Sequence, residues 1–144
     1  MTGIELQILK IVRRFDASQG RLFDAWTNPK LAERWLFTGP TSQSHAVEFD
    51  VRVGGHWKIT DRRDGVDYVA LGEYRVIDPT RRLVFSFGMP QFSPEFAEVS
   101  VDFEPEGEGC RMTLTQDRML PELIKPTEEG WLLMFDGLAS ALRA

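Results

Sequence analysis

Thr127-Glu-Glu-Gly130-Trp131-Leu-Leu-Met-Phe135-Asp-Gly137-Leu138-Ala-Ser-Ala-Leu142-Arg143 is the stretch that decides the fold. Counted from Trp131, apolar residues fall at offsets 4, 7 and 11: Phe135, Leu138 and Leu142. Side chains at those offsets share one stripe of an α-helix, and such a stripe must lie against something apolar. Thr127 is placed to cap the helix, with Glu128 and Glu129 where the helix dipole favours negative charge. Gly130 and Gly137 each cost about 1 kcal/mol relative to alanine in a helix interior. Burial of the stripe, rather than propensity, is therefore expected to hold the segment. The rest of the chain offers a sheet as its partner. A long helix laid across the concave side of a curved antiparallel sheet leaves a groove that suits an apolar small molecule.

The sheet is read upstream. Ile4, Leu6 and Ile8 alternate with polar neighbours, the pattern of a strand with one buried face. The phase slips near Leu9, after which Ile11 and Phe15 continue on the other parity, and a β-bulge accounts for the slip. Leu22, Phe23 and Trp26 form the apolar side of a short helix capped by Ser18. Asn28-Pro29 starts a second one, with Leu31 and Trp35 as its apolar side and Gly39-Pro40 as its end. From His45 to Asp117 the pattern is strand-like throughout. Val47, Phe49, Val51 and Val53 alternate, Gly54-Gly55 turns the chain into Trp57-Lys-Ile59, and Asp64-Gly65 is a hairpin signal. Val66–Asp78 reads as one long strand. Leu83, Phe85 and Phe87 mark the next, Val99, Val101 and Phe103 another, and Cys110, Met112 and Leu114 the last, after a turn over residues 105–109. Strands this close together leave no room for crossover helices, so they form an antiparallel meander.

At 144 residues the chain suits one domain, spanning 1–144, that buries an adequate core without disulfides or metals. Its 17 basic and 22 acidic residues give a net charge of −5 with no long run of either sign, which excludes a nucleic-acid footprint. One cysteine, Cys110, excludes an internal disulfide and fits a reducing cytoplasm. The N-terminal alternation starts too early for a signal peptide, and no apolar run approaches the ~20 residues of a membrane span.

Several segments together carry a family resemblance. They are Arg14-Phe15, residues 22–29 (LFDAWTNP), residues 31–35 (LAERW), residues 50–57 (DVRVGGHW), Gly72-Glu-Tyr74, residues 82–85 (RLVF) and Gly130-Trp131. In combination they resemble the family named for the C-terminal domain of the activator of Hsp90 ATPase, within the START/Bet v 1-like superfamily. The resemblance covers nearly the whole chain and implies an α+β helix-grip fold. Its curved seven-stranded antiparallel sheet (β-α-α-β6-α) wraps around the long C-terminal helix and encloses a cavity. Relatives in the wider superfamily bind lipids, hormones or polyketides, and some cyclise or hydrolyse them. The family name also raises an Hsp90-type chaperone as partner, although the additional N-terminal domain of the eukaryotic activators is lacking. Leu36-Phe37 after Trp35, and Gly137, depart from the usual pattern at places that shape the pocket.

No convergent catalytic set is apparent. The acid–base candidates His45, His56, Asp50, Glu73 and Asp102 are scattered. His56 and Glu73 sit opposite in parity to Trp57 and Tyr74 and so face solvent, and His45 reads as a surface-loop residue. There is no Gly-x-Ser-x-Gly elbow, no phosphate-cradling glycine pattern and no metal-ligand spacing, and Cys110 reads as a structural thiol. The reading that follows is a non-enzymatic, cofactor-free domain, monomer or homodimer, that binds a hydrophobic small-molecule ligand. The expected cavity wall is Trp35, Phe49, Trp57, Tyr74, Phe85, Phe87, Phe96, Trp131 and Phe135, with Tyr74 as polar handle. Any buried indole N–H needs a partner, and one of the four could point at the ligand. The long loop 88–96, with Met89, Phe92 and Phe96, suits a lid, and residues 120–126 suit the opposite lip. A chaperone-interaction module and a weak cyclase or hydrolase are the alternatives.

Overall fold

The computed structural model describes residues 5–143. In chain order the elements are β1 (Gln7–Phe15), α1 (Gln19–Thr27), α2 (Pro29–Ala32), β2 (Ser44–Phe49), β3 (His56–Arg63), β4 (Val66–Asp78), β5 (Arg82–Phe87), β6 (Ala97–Glu106) and β7 (Gly109–Met119). A 3-10 turn at Pro121–Leu123 then leads into α3 (Ile124–Arg143). The seven strands form one sheet in the order β1-β7-β6-β5-β4-β3-β2, and every pairing is antiparallel. This is the seven-stranded helix-grip layout expected from the sequence.

The local signals explain most of the elements. Ser18 caps α1 by accepting from the Arg21 N–H, and Asn28 caps α2 by accepting from the Lys30 N–H, with Pro29 in the first turn. Asp64 and Gly65 both take positive φ, 52° and 75°, as a two-residue hairpin turn between twisted strands requires. Trp131, Phe135 and Leu138 of α3 are buried in one apolar cluster with sheet residues that include Leu9, Ile11, Phe15 and Leu114, and the Phe135 ring meets Phe15 edge-on at 6.3 Å.

Four expectations are corrected. Ile4 falls outside the described residues, and Leu6 and Ile8 are exposed rather than buried. The register slips between Gln7 and Leu9, so Leu9, Ile11 and Phe15 become the inward face of β1. The second helix stops at Ala32, because Trp35 and Leu36 turn separately into the core, and Leu31 is only half-buried. Strand β2 ends at Phe49. There the Arg52 N–H donates to Asp50 O and the Gly55 N–H to Arg52 O, which leaves Val51 and Val53 exposed. Finally, α3 begins at Ile124 directly out of the 3-10 turn. Thr127 is thus inside the helix rather than its cap, and Pro126 is tolerated where backbone N–H groups have no intrahelical partner. No helix among the described residues is long and apolar enough to cross a membrane.

Candidate functional site

The inward face of β2, β3 and β4 is set by register. Phe49, Trp57 and Gly72 are opposite one another in one row, Val47, Ile59 and Ala70 in the next, and His45, Asp61 and Tyr68 in the third. Successive rows are two residues apart, so all three share a face. The face thus runs from aromatic at one end to polar at the other. Gly72 permits the first row. A Cβ there would meet Ser86 O at 1.7 Å and Trp57 Nε1 at 2.7 Å, so only glycine lets the Trp57 indole lie across β4 and donate to Ser86 O at 3.0 Å.

Between this face and the Trp26, Leu36 and Phe37 side chains lies a void of only about 10 Å³, lined by these three with Phe49, Trp57, Tyr74, Leu83 and Phe85. One water-sized sphere would fill it. The internal cavity implied by the family resemblance is therefore almost filled, and Phe37 is one of the side chains that fill it. Its ring stacks on Phe87 (centroids 5.1 Å apart, planes at 23°) and on Trp57 (5.9 Å, 6°), and tilts against Trp131 at 5.5 Å. To bring the ring inward the backbone takes φ 51°, in the left-handed region that a bulky side chain rarely adopts. The Phe37 N–H donates to Met134 Sδ at 3.1 Å, which pins this loop to α3.

On the outer side of Phe37 is an open recess of about 290 Å³. Phe37 forms part of its lining, with residues 38–41, Asp61, Arg63, Tyr68, Ala70, Met89, Leu133 and Met134. Phe37 thus lines both the small void and the wider recess, and its ring stands between them. A second external groove of about 480 Å³ runs between residues 33–40 and the Leu133–Gly137 side of α3, with Trp35 in its wall.

The nominated wall residues divide accordingly. Phe49, Trp57, Tyr74 and Phe85 border the void, and Phe87 and Trp131 touch it through Phe37. Trp35 and Phe135 pack deeper, on each other and on Trp26. Phe96 covers the bare backbone of Gly88. Trp26, Leu36, Phe37 and Leu83 complete the lining and were not nominated.

None of the four indoles points at a ligand. Trp26 donates to Met112 Sδ, Trp35 to Ala25 O, Trp57 to Ser86 O and Trp131 to Gln116 Oε1, so each buried N–H is satisfied within the fold.

Tyr74 is buried beside Phe49, and its phenol is pushed above the usual value, by burial first and by the Asp50 carboxylate second. It stays neutral across the ordinary pH range. The unfolded chain releases this proton near pH 10 while the folded protein still holds it, so stability falls as pH rises past about 10. The fall should approach ~1.4 kcal/mol per pH unit, and Tyr74→Phe should flatten it. Urea unfolding at pH 9, 10 and 11 measures this. Phenolate absorbance in a Tyr68→Phe background reports Tyr74 alone, because the chain has two tyrosines.

The loop after β5 folds over the mouth. Gln91 uses both ends of its amide on the free edge of β4, accepting from the Val69 N–H at 2.6 Å and donating to Asp67 O at 2.8 Å. Phe92 stacks on Tyr68 at 6.0 Å, and Met89 lines the recess. Gln91→Ala is expected to free this flap without unfolding the sheet. Amide exchange at Val69 should accelerate by roughly tenfold, as the loss of about 1 kcal/mol per exposed hydrogen bond would produce.

The acid–base candidates are not brought together. His56 is exposed and pairs across the strands with Glu73 on the opposite face from Trp57. Asp50 pairs with Arg52, and Asp102 with Arg82. Cys110 is buried, and burial raises its thiol. His45 is corrected. It is a residue of β2 rather than of a loop, and both its ring nitrogens are sealed from solvent without a partner. Asp61, its opposite number on β3, was not a sequence candidate and is 3% exposed. The available signal was parity, since Asp61 and Arg63 continue the inward series of Trp57 and Ile59. Among the described residues no group of three or more His, Cys, Asp and Glu is placed to hold a metal ion.

Comparison with known proteins adds the following. A family model described as activator of Hsp90 ATPase homolog 1-like protein matches residues 16–143. Among solved structures, a protein from Rhizobium leguminosarum superposes with a TM-score of 0.83 at 23% identity, covering 96% of this chain and 95% of that one. SA2116 from Staphylococcus aureus, a protein of unknown function, gives 0.81 at 21% identity, covering 98% and 97%. CV1439 from Chromobacterium violaceum gives 0.81 at 18% identity, covering 95% and 97%. At these identities the likeness is one of fold. No curated protein matches the chain.

Proposed function

Because the chain belongs to the activator of Hsp90 ATPase homolog 1-like family, we propose that it is a ligand-binding helix-grip domain whose pocket opens when Phe37 swings out. The ligand is a small, planar, apolar molecule held between the sheet and α3. One observation carries this reading: Phe37 lines both the small void and the wider recess, so moving one ring joins them into a single larger pocket. Two further features support it. The left-handed backbone at Phe37 costs on the order of 1–3 kcal/mol, so the closed state carries a strain that opening would release. The walls exposed by opening are Phe49, Trp57, Tyr74, Phe85, Phe87 and Trp131, and an apolar pocket with few polar groups is the usual form of a small-molecule site. The soft side chains of Met89 and Met134 at the rim suit the faces and edges of aromatic rings.

Titration of the protein with naphthalene, followed by tryptophan emission and by native mass spectrometry, tests the proposal. A saturable shift with one-to-one stoichiometry is the expected outcome. Absence of binding by the native protein and by a variant lacking the Phe37 ring would refute it.

A further inference from the structure

Resting on the reading that the groove takes a ligand, we propose that the mouth contains a built polar anchor, centred on Asp61 and supported by His45 and Arg63, that receives a hydroxyl group of an aromatic alcohol. Asp61 is charged, 3% exposed, and forms part of the wall of the recess. Its Oδ1 is buried with no hydrogen-bond partner. Its Oδ2 lies 3.0 Å from Arg63 Nε, close enough to pair charges. The geometry still falls short of a hydrogen bond, so Nε is unpartnered as well. His45, directly across the strand pair, adds two sealed nitrogens with no partner. Buried polar atoms are nearly always satisfied. Four orphans on three neighbouring inward side chains make an arrangement that a bound group would complete.

The chemistry of the anchor selects its guest. Arg63 already balances the Asp61 charge, so a cationic ligand would leave an excess positive charge in the recess, and an anion would face Oδ1. A neutral donor satisfies Oδ1 without either penalty. A hydroxyl can also accept, which the Arg63 Nε, also on the recess wall, can answer. The body attached to that hydroxyl meets Phe37, Met89, Leu133 and Met134, an apolar wall. The Arg63 guanidinium lies 4.1 Å above the Tyr68 ring, and Phe92 stacks on that ring at 6.0 Å, which together form the aromatic side of the mouth. The hydroxyl thus stays at the polar row while the ring system points toward Phe37.

Two probes of similar shape test this, 2-naphthol and 2-methylnaphthalene, each titrated by calorimetry into the native protein and into Asp61→Leu and Asp61→Asn. The expected result is that 2-naphthol binds the native protein at least about tenfold more tightly. Asp61→Leu should reduce that ratio to about one without weakening 2-methylnaphthalene, and Asp61→Asn, which keeps shape and an acceptor, should give an intermediate ratio. Circular dichroism verifies that each variant is folded, and the native comparison stands even if one is not. Equal affinity of the two probes for the native protein, or a preference that survives both substitutions, overturns the anchor and leaves the groove reading intact. Failure of both probes to bind the native protein and Phe37→Ala overturns the groove reading and the anchor together.

Discussion

Phe37→Ala is expected to bind naphthalene about 10- to 100-fold more tightly than the native protein does. In the native chain the ligand must first displace a ring stacked on Trp57 and Phe87. If the open state is populated at 1–10%, apparent affinity is reduced by that fraction, and deleting the plug restores it. The same substitution should cost about 2–3 kcal/mol of stability, less than the 3–5 typical of a fully buried phenylalanine, because Phe37 is only half-buried. Phe37→Gly separates the two contributions. It removes the same ring but accepts φ 51° without strain, so it should be more stable than Phe37→Ala by about 0.5–1 kcal/mol while binding equally well. Urea unfolding and naphthalene titration of both variants give the four numbers required. Equal affinities for native and variant proteins would show that the Phe37 ring is no barrier.

Phe135→Ala should destabilise far more and open nothing at the mouth. Phe135 is fully buried on α3 and meets the rings of Phe15, Trp26, Trp35 and Trp131 at centroid distances of 5.8–6.5 Å. Its removal leaves a hole that these large side chains can only partly close, so a loss of about 3–5 kcal/mol is expected. That is comparable with the whole stability of many domains, so the variant should unfold at markedly lower urea. Phe135 lines neither the void nor the mouth, so naphthalene affinity measured on the folded fraction should stay near native. Leu133→Ala, two residues away on the same helix and 65% exposed, is the matched control and should change stability by no more than about 0.5 kcal/mol. A small effect at Phe135 would mean that the stripe is not what anchors α3.

How much of the site was legible follows the range of each signal. The α3 stripe, the caps at Ser18 and Asn28 and the Asp64-Gly65 turn were readable because each depends on residues a few positions apart. The change of parity near Leu9 was readable, and the register shift between Gln7 and Leu9 bears it out; what local alternation could not show is that Leu6 and Ile8 before it are exposed. Val51 and Val53 alternate as a strand should, yet the turn after Asp50 removes them from the sheet. His45 and Asp61 are 16 positions apart, and no local pattern could announce that the register of β2 on β3 sets them side by side.

Periodicity and composition by themselves determined the antiparallel meander, the long closing helix and the apolar character of the space between them, because alternation and helical spacing are local consequences of where side chains point. Tertiary structure alone decided whether that space is empty. The Phe37 ring fills it through one backbone angle and four contacts from elements far apart in the chain. Packing also decided that every tryptophan is satisfied internally while one carboxylate at the mouth is not. The physical reason is common to both. Whether a buried atom finds a partner depends on distances between strands and helices, and those are set only when the whole sheet has closed over α3.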